Sequence, residues 1–325
     1  MAVPAISLVV LAYREREPLA RCLEACVVAA ASASVETELI VVDNGGLASF
    51  IGECCPQASV IEPGENLGYA GGVQRGIAAA RGRWIMLVND DAYLTAQAVA
   101  LLFAAGERDP KIGAVAAQVR FAAQPDVVNS AGIDVNALGI ATERFAGCPL
   151  SAASAAGPVF GASGSVVMYR AAMLEQIGGF DTRFFAYLED VDVAWRAQAA
   201  GWSAWYEPDA VAYHEGSAST GARAPQKYFL VGRNRVRLLA RNATRSQLIR
   251  AFPGIALYDT AYVIYVALYD RTLAPLRGRL AGLRDWRRYR RETAALRREV
   301  SLTPALRGVR AAWRMHHAYG RAAGS

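Results

Sequence analysis

Residues 84–91 read Trp84-Ile85-Met86-Leu87-Val88-Asn89-Asp90-Asp91, an unbroken apolar run that ends in an amide and two acids. Five apolar residues without a polar interruption suit a strand buried on both faces, since a half-exposed strand alternates. Three further apolar runs precede it: Ile6 to Ala12, broken only by Ser7, Leu39 to Asp43, and Ala58 to Ile61, broken only by Ser59. Between them Pro18 to Ala31 and Tyr69 to Arg81 carry helical patterns, with Pro18 in a first-turn position where no hydrogen bond is lost. Strands alternating with helices predict an α/β chain with a Rossmann-like, mostly parallel central sheet flanked by helices. Ligands bind such sheets beyond the carboxyl ends of the strands. There the sequence places Tyr13-Arg14-Glu15, Asp43-Asn44-Gly45-Gly46 and Asn89-Asp90-Asp91.

The chain has 325 residues, enough for one large domain or two moderate ones. Hydrophobic residues at 54% and charged residues at 20% argue against disorder and against a polytopic membrane protein. Met1 to Ser7 carry no export signal, so a cytoplasmic location is expected. Cys22, Cys26, Cys54, Cys55 and Cys148 show neither CxxC spacing nor neighbouring histidines, which leaves free thiols as the reading. The net charge of +6 hides a division. Residues 226–325 hold 21 Lys or Arg against 5 Asp or Glu, whereas residues 1–225 hold 14 against 24. The basic part is expected to meet an anionic surface, membrane or nucleic acid, while the acidic part does other work.

Past Lys111 the pattern weakens into short strands and Ala/Gly/Ser-rich loops as far as Ser154. Ala171 to Ile177 reads as a short helix closed by Gly178-Gly179. A second helix begins near Glu189 and stops at Gly201, with Glu189, Asp190 and Asp192 at the positive end of its dipole. Trp202 to Tyr206 and Ala210 to His214 read as two strands. Taken singly, each polar cluster has two readings. Asn89-Asp90-Asp91 suits a Mg2+ or Mn2+ ion that neutralises a diphosphate, or an ordinary solvated turn. One acid at 189–192 could take a proton from an attacking hydroxyl, or merely cap its helix. His214 could be a metal ligand or a packed structural histidine.

Their order along the chain carries more. Asp43, then Glu65-Asn66-Leu67-Gly68-Tyr69-Ala70-Gly71-Gly72, Asn89-Asp90-Asp91, Gly178-Gly179-Phe180-Asp181, Tyr187-Leu188-Glu189-Asp190-Val191-Asp192 and His214 together resemble the inverting family 2 glycosyltransferases of GT-A fold. The likeness is to the bacterial branch of rhamnosyltransferases and galactofuranosyltransferases of cell-surface polysaccharide assembly. It runs from Ile6 to about Asn242 and includes Lys227-Tyr228-Phe229 and Arg233-Asn234-Arg235. The resemblance implies that Asp190 is the general base, that Asp43 reads the nucleotide base and that Asn66 helps to hold the nucleotide. Ala12, Tyr13, Glu15, Gly72, Asn89, Asp90 and Arg233 then complete the nucleotide-sugar site. Asp91 and His214 would hold Mg2+ or Mn2+, His214 either completing the metal site or contacting the diphosphate, and Gly161, Ala162, Ser163, Glu189 and Trp195 would line the acceptor side. Asn89 stands at the first position of the family's DxD motif, which removes one charged ligand, and Gln74 stands where many relatives have Asn.

By the same resemblance, residues 1–110 form a nucleotide-sugar-binding half and 111–242 an acceptor and catalytic half. dTDP-rhamnose is the favoured donor, ahead of UDP-linked galactofuranose or N-acetylhexosamine. The acceptor is a glycan or a polyprenyl-diphosphate-linked glycan, and a homodimer is a further possibility for partners. A nucleotidyltransferase would use the same strand-end acids, but the only lysines, Lys111 and Lys227, lie in no glycine-rich phosphate loop. A nucleic-acid-binding protein would explain the arginines, and the acidic N-terminal part opposes it.

Residues 243–325 read as a basic helical extension. Between Gly254 and Ala274 the longest uncharged run, Thr260 to Tyr269, is ten residues, against roughly 20 needed to cross a bilayer. Tyr258, Tyr262, Tyr265 and Tyr269 form a stripe at helical spacing, and Trp286, Tyr289, Thr293, Leu296 and Val300 form a second among arginines. The expectation is peripheral attachment to the anionic inner face of the cell membrane. The competing reading packs both stripes on the catalytic domain or a second subunit.

Overall fold

The computed structural model describes residues 3–216, 224–295 and 297–322. The four apolar runs become β1 (Ile6–Ala12), β2 (Thr37–Asp43), β3 (Ser59–Ile61) and β4 (Trp84–Asn89), all parallel in the order β4-β1-β2-β3. All seven residues of β1 are buried, because both faces of the sheet are covered. Ile6, Leu8 and Val10 meet Leu19, Cys22 and Leu23 of α1 (Arg16–Ala31), as alternation along a strand requires. Val9 and Leu11 turn the other way, toward Val73 of α3 (Gly68–Ala79), which follows the short α2 (Ala48–Cys54).

β5 (Ala92–Leu94) and α4 (Ala98–Glu107) close the first third of the chain. The weakly patterned stretch that follows holds β6 (Ile112–Phe121), β7 (Gln124–Ser130), and β8 (Ile133–Val135) with β9 (Ala141–Glu143) as a separate pair. Next come β10 (Gly157–Val159), β11 (Val166–Arg170), α5 (Ala171–Ile177), α6 (Glu189–Ala199) and β12 (Ser203–His214). The sheet runs β10-β12-β6-β11-β4-β1-β2-β3, with β5 and β7 paired at its side. β11 is antiparallel to β4 and β6, so the sheet is mixed where the sequence weakens and continuous across residue 110. The two strands expected at 202–206 and 210–214 are one. Glu207 pairs with Ala117 and Val211 with Gln118, so Pro208, which has no N–H for a ladder, leaves the pairing in a bulge.

The C-terminal helices are α7 (Pro225–Asn242), α8 (Arg245–Tyr269), α9 (Ala274–Glu292) and α10 (Ala305–Ala322). Thr244 and Gln247 form a reciprocal capping box that starts α8. By length and composition α8 could cross a membrane, which the ten-residue uncharged run did not suggest. Asp259 at its middle argues otherwise: it pairs with Arg235 of α7 at 2.7 Å and Arg279 of α9 at 2.9 Å, which ties the helix along the protein. The two aromatic stripes are corrected in the same way. Tyr262 and Tyr265 pack on Tyr228 and Val266, and only Tyr269 is largely exposed. Tyr289 and Thr293 are buried, Tyr289 edge-on to Phe184; α9 ends at Glu292, and Leu296 lies outside the described residues.

Candidate active site

At the end of β1, the backbone N–H of Tyr13, following Ala12, donates to Asp90 Oδ2 at 2.6 Å, which joins the first and fourth strand ends. Asn66 Nδ2 reaches the Tyr13 hydroxyl at 3.4 Å, and Asn66 Oδ1 accepts from Asn44 Nδ2 and the N–H of Gly68. The three polar strand ends therefore share one network. Asp43 is buried and accepts the backbone N–H groups of Gly45, Gly46 and Leu47, so its carboxylate builds the turn that shapes the crevice wall. Glu15 is exposed at the start of α1 and makes no capping bond. Gly72 contributes by being small, since a Cβ there would overlap Leu11 of β1. Its place is in the α3–β1 contact.

The carboxylate of Asp190 opens α6. Its Oδ2 accepts from the N–H of Gly164 at 3.0 Å and its Oδ1 from the N–H of Val191 at 2.8 Å. Burial raises its pKa and those N–H bonds pull back, leaving a carboxyl that is more basic than usual. Gly161 lies against Ala194 of α6, Ala162 is buried, and Ser163 Oγ donates to Glu143 Oε1 at 3.0 Å. Glu189 and Trp195 are both buried. Trp195 stands edge-on to Phe160 and belongs to a core cluster with Ala70, Phe184 and Leu238. As an acceptor-lining residue Trp195 is thus corrected to one that supports the site from beneath. Glu189 is pushed far up by burial and by the charge of Asp190, and its Oε2 has no hydrogen-bond partner.

Asp91 and His214 face each other, Oδ1 to Nε2, at 3.1 Å. The sheet enforces this, since His214 pairs with Ala92 across the β12–β5 ladder. Burial opposes both charges, yet the contact holds Asp91 below and His214 above its ordinary pKa. Burial and the charge of Asp91 push Asp90 up to about 7. Among the described residues no three His, Cys, Asp or Glu side chains form a ready-made metal cluster. The donor set nonetheless suits Mg2+ or Mn2+, which take one or two protein ligands and complete their shell with phosphate oxygens and water. Asn89 Oδ1, in the position where the DxD motif has an acid, is buried without a hydrogen-bond partner.

Several site residues carry no sequence signal. Glu143 on β9 accepts from Ser163 and Ser130, is raised to about 7 by burial, and feels the charges of both Asp190 and His214. Asn129 Oδ1 lies 3.4 Å from His214 Nδ1. A third set surrounds the turn before Asp190, where Phe185, Tyr187 and Leu188 all have φ between 66° and 72°. Asn234, fully buried on α7, donates to the carbonyls of Phe184, Ala186 and Tyr187 at 2.8–2.9 Å. Arg233 donates to Phe184 O at 2.7 Å and Arg237 to Arg183 O at 2.6 Å. Arg233, expected at the nucleotide sugar, spends these donors on the turn. Asp192 likewise serves structure: it pairs with Arg196 at 2.7 Å and Arg241 at 3.0 Å with no exposure at all.

The mixed sheet, with acids at its strand ends, a carboxylate at a helix start and an Asp–His pair, has the layout of the GT-A glycosyltransferases that its structural neighbours share. The model of the family described as glycosyltransferase like family 2 matches residues 4–237, and the chain belongs to that family. The chain is 30% identical over 223 residues to the N-acetylglucosaminyl-diphospho-decaprenol L-rhamnosyltransferase of Mycobacterium tuberculosis H37Rv, across 59% of this chain and 72% of that one. Among solved structures, S. aureus TarS 1–349 superposes with a TM-score of 0.53 at 14% identity, over 98% of this chain and 90% of that one. GalNAc-T7, crystallised with UDP, GalNAc and Mn2+, superposes with a TM-score of 0.57 at 12% identity, over 75% and 49%. At these identities the two structures attest the fold.

Proposed function

We propose that this glycosyltransferase moves a sugar, with inversion, from a nucleoside diphosphate donor to a hydroxyl of a lipid-linked glycan at the inner face of the cell membrane. dTDP-rhamnose is the first choice of donor and a UDP-linked sugar the second. The observation that carries the reaction is Asp190, a half-buried residue whose carboxylate is held by two N–H groups and made more basic by burial. The rhamnosyltransferase relative supports the choice of donor and of a polyprenyl-diphosphate-linked acceptor.

In this reading the acceptor hydroxyl gives its proton to Asp190 as its oxygen bonds to the anomeric carbon, and the bond to the nucleoside diphosphate breaks on the opposite face. No carboxylate nucleophile takes part, so configuration inverts. Asp91 and His214 would hold a divalent cation, which supplies charge neutralisation at the departing diphosphate. Tyr13, Asn66 and Asn44 shape the nucleotide crevice, and Gly164 keeps the base turned to its work.

The test is Asp190→Asn, which keeps the size and loses the proton acceptor. Turnover with dTDP-rhamnose is expected to fall by about two to four orders of magnitude with nucleotide affinity nearly unchanged. Turnover within a few-fold of wild type would make Asp190 a helix cap. A thermal-shift panel of dTDP- and UDP-sugars, with and without Mn2+, ranks the donors, since a ligand of the folded state raises the midpoint.

A further inference from the structure

The α8 face turned away from the protein carries Ile249, Phe252, Leu257, Ile264 and Leu268, each more than half exposed. Pro253, Ala256, Thr260 and Ala261 lie exposed between them, and no charge interrupts the face from Ala251 to Tyr269. Their spacing of three and four residues puts them on one side of the helix, over a length of about 28 Å at 1.5 Å per residue. The opposite side is fastened to the protein by Asp259, which rules out lifting the helix into lipid without stranding that carboxylate. α9 continues the pattern past the α8–α9 turn. Leu273, Leu276, Leu280 and Leu283 are exposed in a row, and Arg284, Arg287 and Arg291 extend that row as an exposed basic one.

We infer that the exposed faces of α8 and α9 are a docking surface for an anionic lipid bilayer, which they meet lying flat. An apolar face of this length exceeds what scattered surface leucines explain. The charge beside it selects the occupant. Most exposed ionic groups of α9 are arginines, and two acids of this region, Asp259 and Asp285, are turned inward to Arg235, Arg279 and Arg237. Leucines that enter the acyl boundary beside arginines that meet phosphate headgroups are the composition of an interfacial helix. The membrane contact thus lies on leucine and isoleucine rather than on the tyrosine stripe, most of which is packed. This deepens the membrane location proposed above and stands apart from the transfer chemistry.

The experiment sediments the full chain with vesicles of phosphatidylcholine alone and of phosphatidylcholine mixed with phosphatidylglycerol. The variants are L257E/I264E on α8, L276E/L280E on α9 and R284E/R287E, each checked for a wild-type unfolding midpoint. The wild type is expected to bind the anionic mixture and to be released in part by salt. Each leucine variant loses about tenfold or more in vesicle affinity, and R284E/R287E loses the preference for phosphatidylglycerol. Wild-type vesicle binding by both leucine variants overturns the proposal. So does a wild type that ignores vesicles but forms a dimer that the leucine variants dissolve, which assigns the surface to a second copy. Because the assay contains neither donor nor acceptor, its result is independent of whether the transferase reading holds.

Discussion

Asp190 depends on two N–H groups, and one of them, on Gly164, belongs to a closely packed segment: a Cβ at Gly164 would come within 3.0 Å of the Tyr69 hydroxyl, which would have to give way. That hydroxyl in turn donates to Gly164 O at 2.5 Å, so the residue that orients the proposed base is held at both its N–H and its carbonyl. On the leaving-group side, Asp91→Ala and His214→Ala should each weaken Mn2+-dependent nucleotide binding, Asp91 more, since it removes formal charge beside the cation. Titration calorimetry with UDP or dTDP, with Mn2+ and with chelator, reads this out. Equal affinities in chelator and in Mn2+ would take the pair out of metal binding. Asp190, Asp91 and His214 could be singled out as candidates in the sequence because their order along the chain is specific. Glu143 was not: it follows Ala141-Thr142 in no motif, and its partners Ser130 and Ser163 are brought to it only by the fold. Trp195 misled for the opposite reason, because an aromatic residue five positions beyond the proposed base reads the same whether it faces a sugar or the core.

At the level of elements, the turn from Phe184 to Leu188 and helix α7 form one device. Three non-glycine residues with positive φ cost of order 1–2 kcal/mol each, so the turn persists only where neighbouring structure determines it. Asn234 provides that determination through three carbonyls. Asn234→Ala should therefore destabilise the protein by about 1–3 kcal/mol, the cost of buried carbonyls left unpaired. It should also lower kcat with little change in nucleotide affinity, because the turn aims Asp190 and not the donor crevice. Unfolding midpoints and a kcat-against-KM comparison check both halves. A loss of nucleotide affinity with kcat preserved would count against the positioning role. β1, α5 and α6 could be placed from the sequence nearly to the residue, since strong periodicity and a Gly178 stop define them locally. The strands between Lys111 and Ser154 could not: β6 is held by the distant β11 and β12, while β7 and β9 pair with their neighbours β6 and β8 without a strong pattern of their own.

Across the whole molecule, the arginines of the basic third divide into two populations. Arg235, Arg237, Arg241 and Arg279 are consumed internally, against Asp259, Asp285, Asp181 and Asp192. Composition counted them with the exposed arginines of α9, which is why charge alone overstated the anionic surface the chain can engage. Asp181 shows what the internal set does for stability. Burial by itself would raise its pKa, but the Arg183 hydrogen bond and the charges of Arg241 and Arg183 outweigh that and hold it below the ordinary value. Its stabilising contribution is therefore complete above an unfolded carboxyl's pKa of about 3.9 and is lost as pH falls through the lower folded value. Unfolding midpoints between pH 6 and pH 2 should show that loss, and Asp181→Asn should remove the acid-dependent part. A variant with an unchanged acid profile would place the loss elsewhere. Finally, α7 grips the turn before Asp190 through Asn234 and grips α8 through Arg235 and Asp259, with no linker between the two. The height of the base above whatever surface α8 rests on is thereby a constant of the molecule. If α8 rests on lipid as proposed, such an enzyme would behave as a ruler, serving acceptors whose reacting hydroxyl stands at one reach from the lipid and passing over those that are one sugar too short or too long.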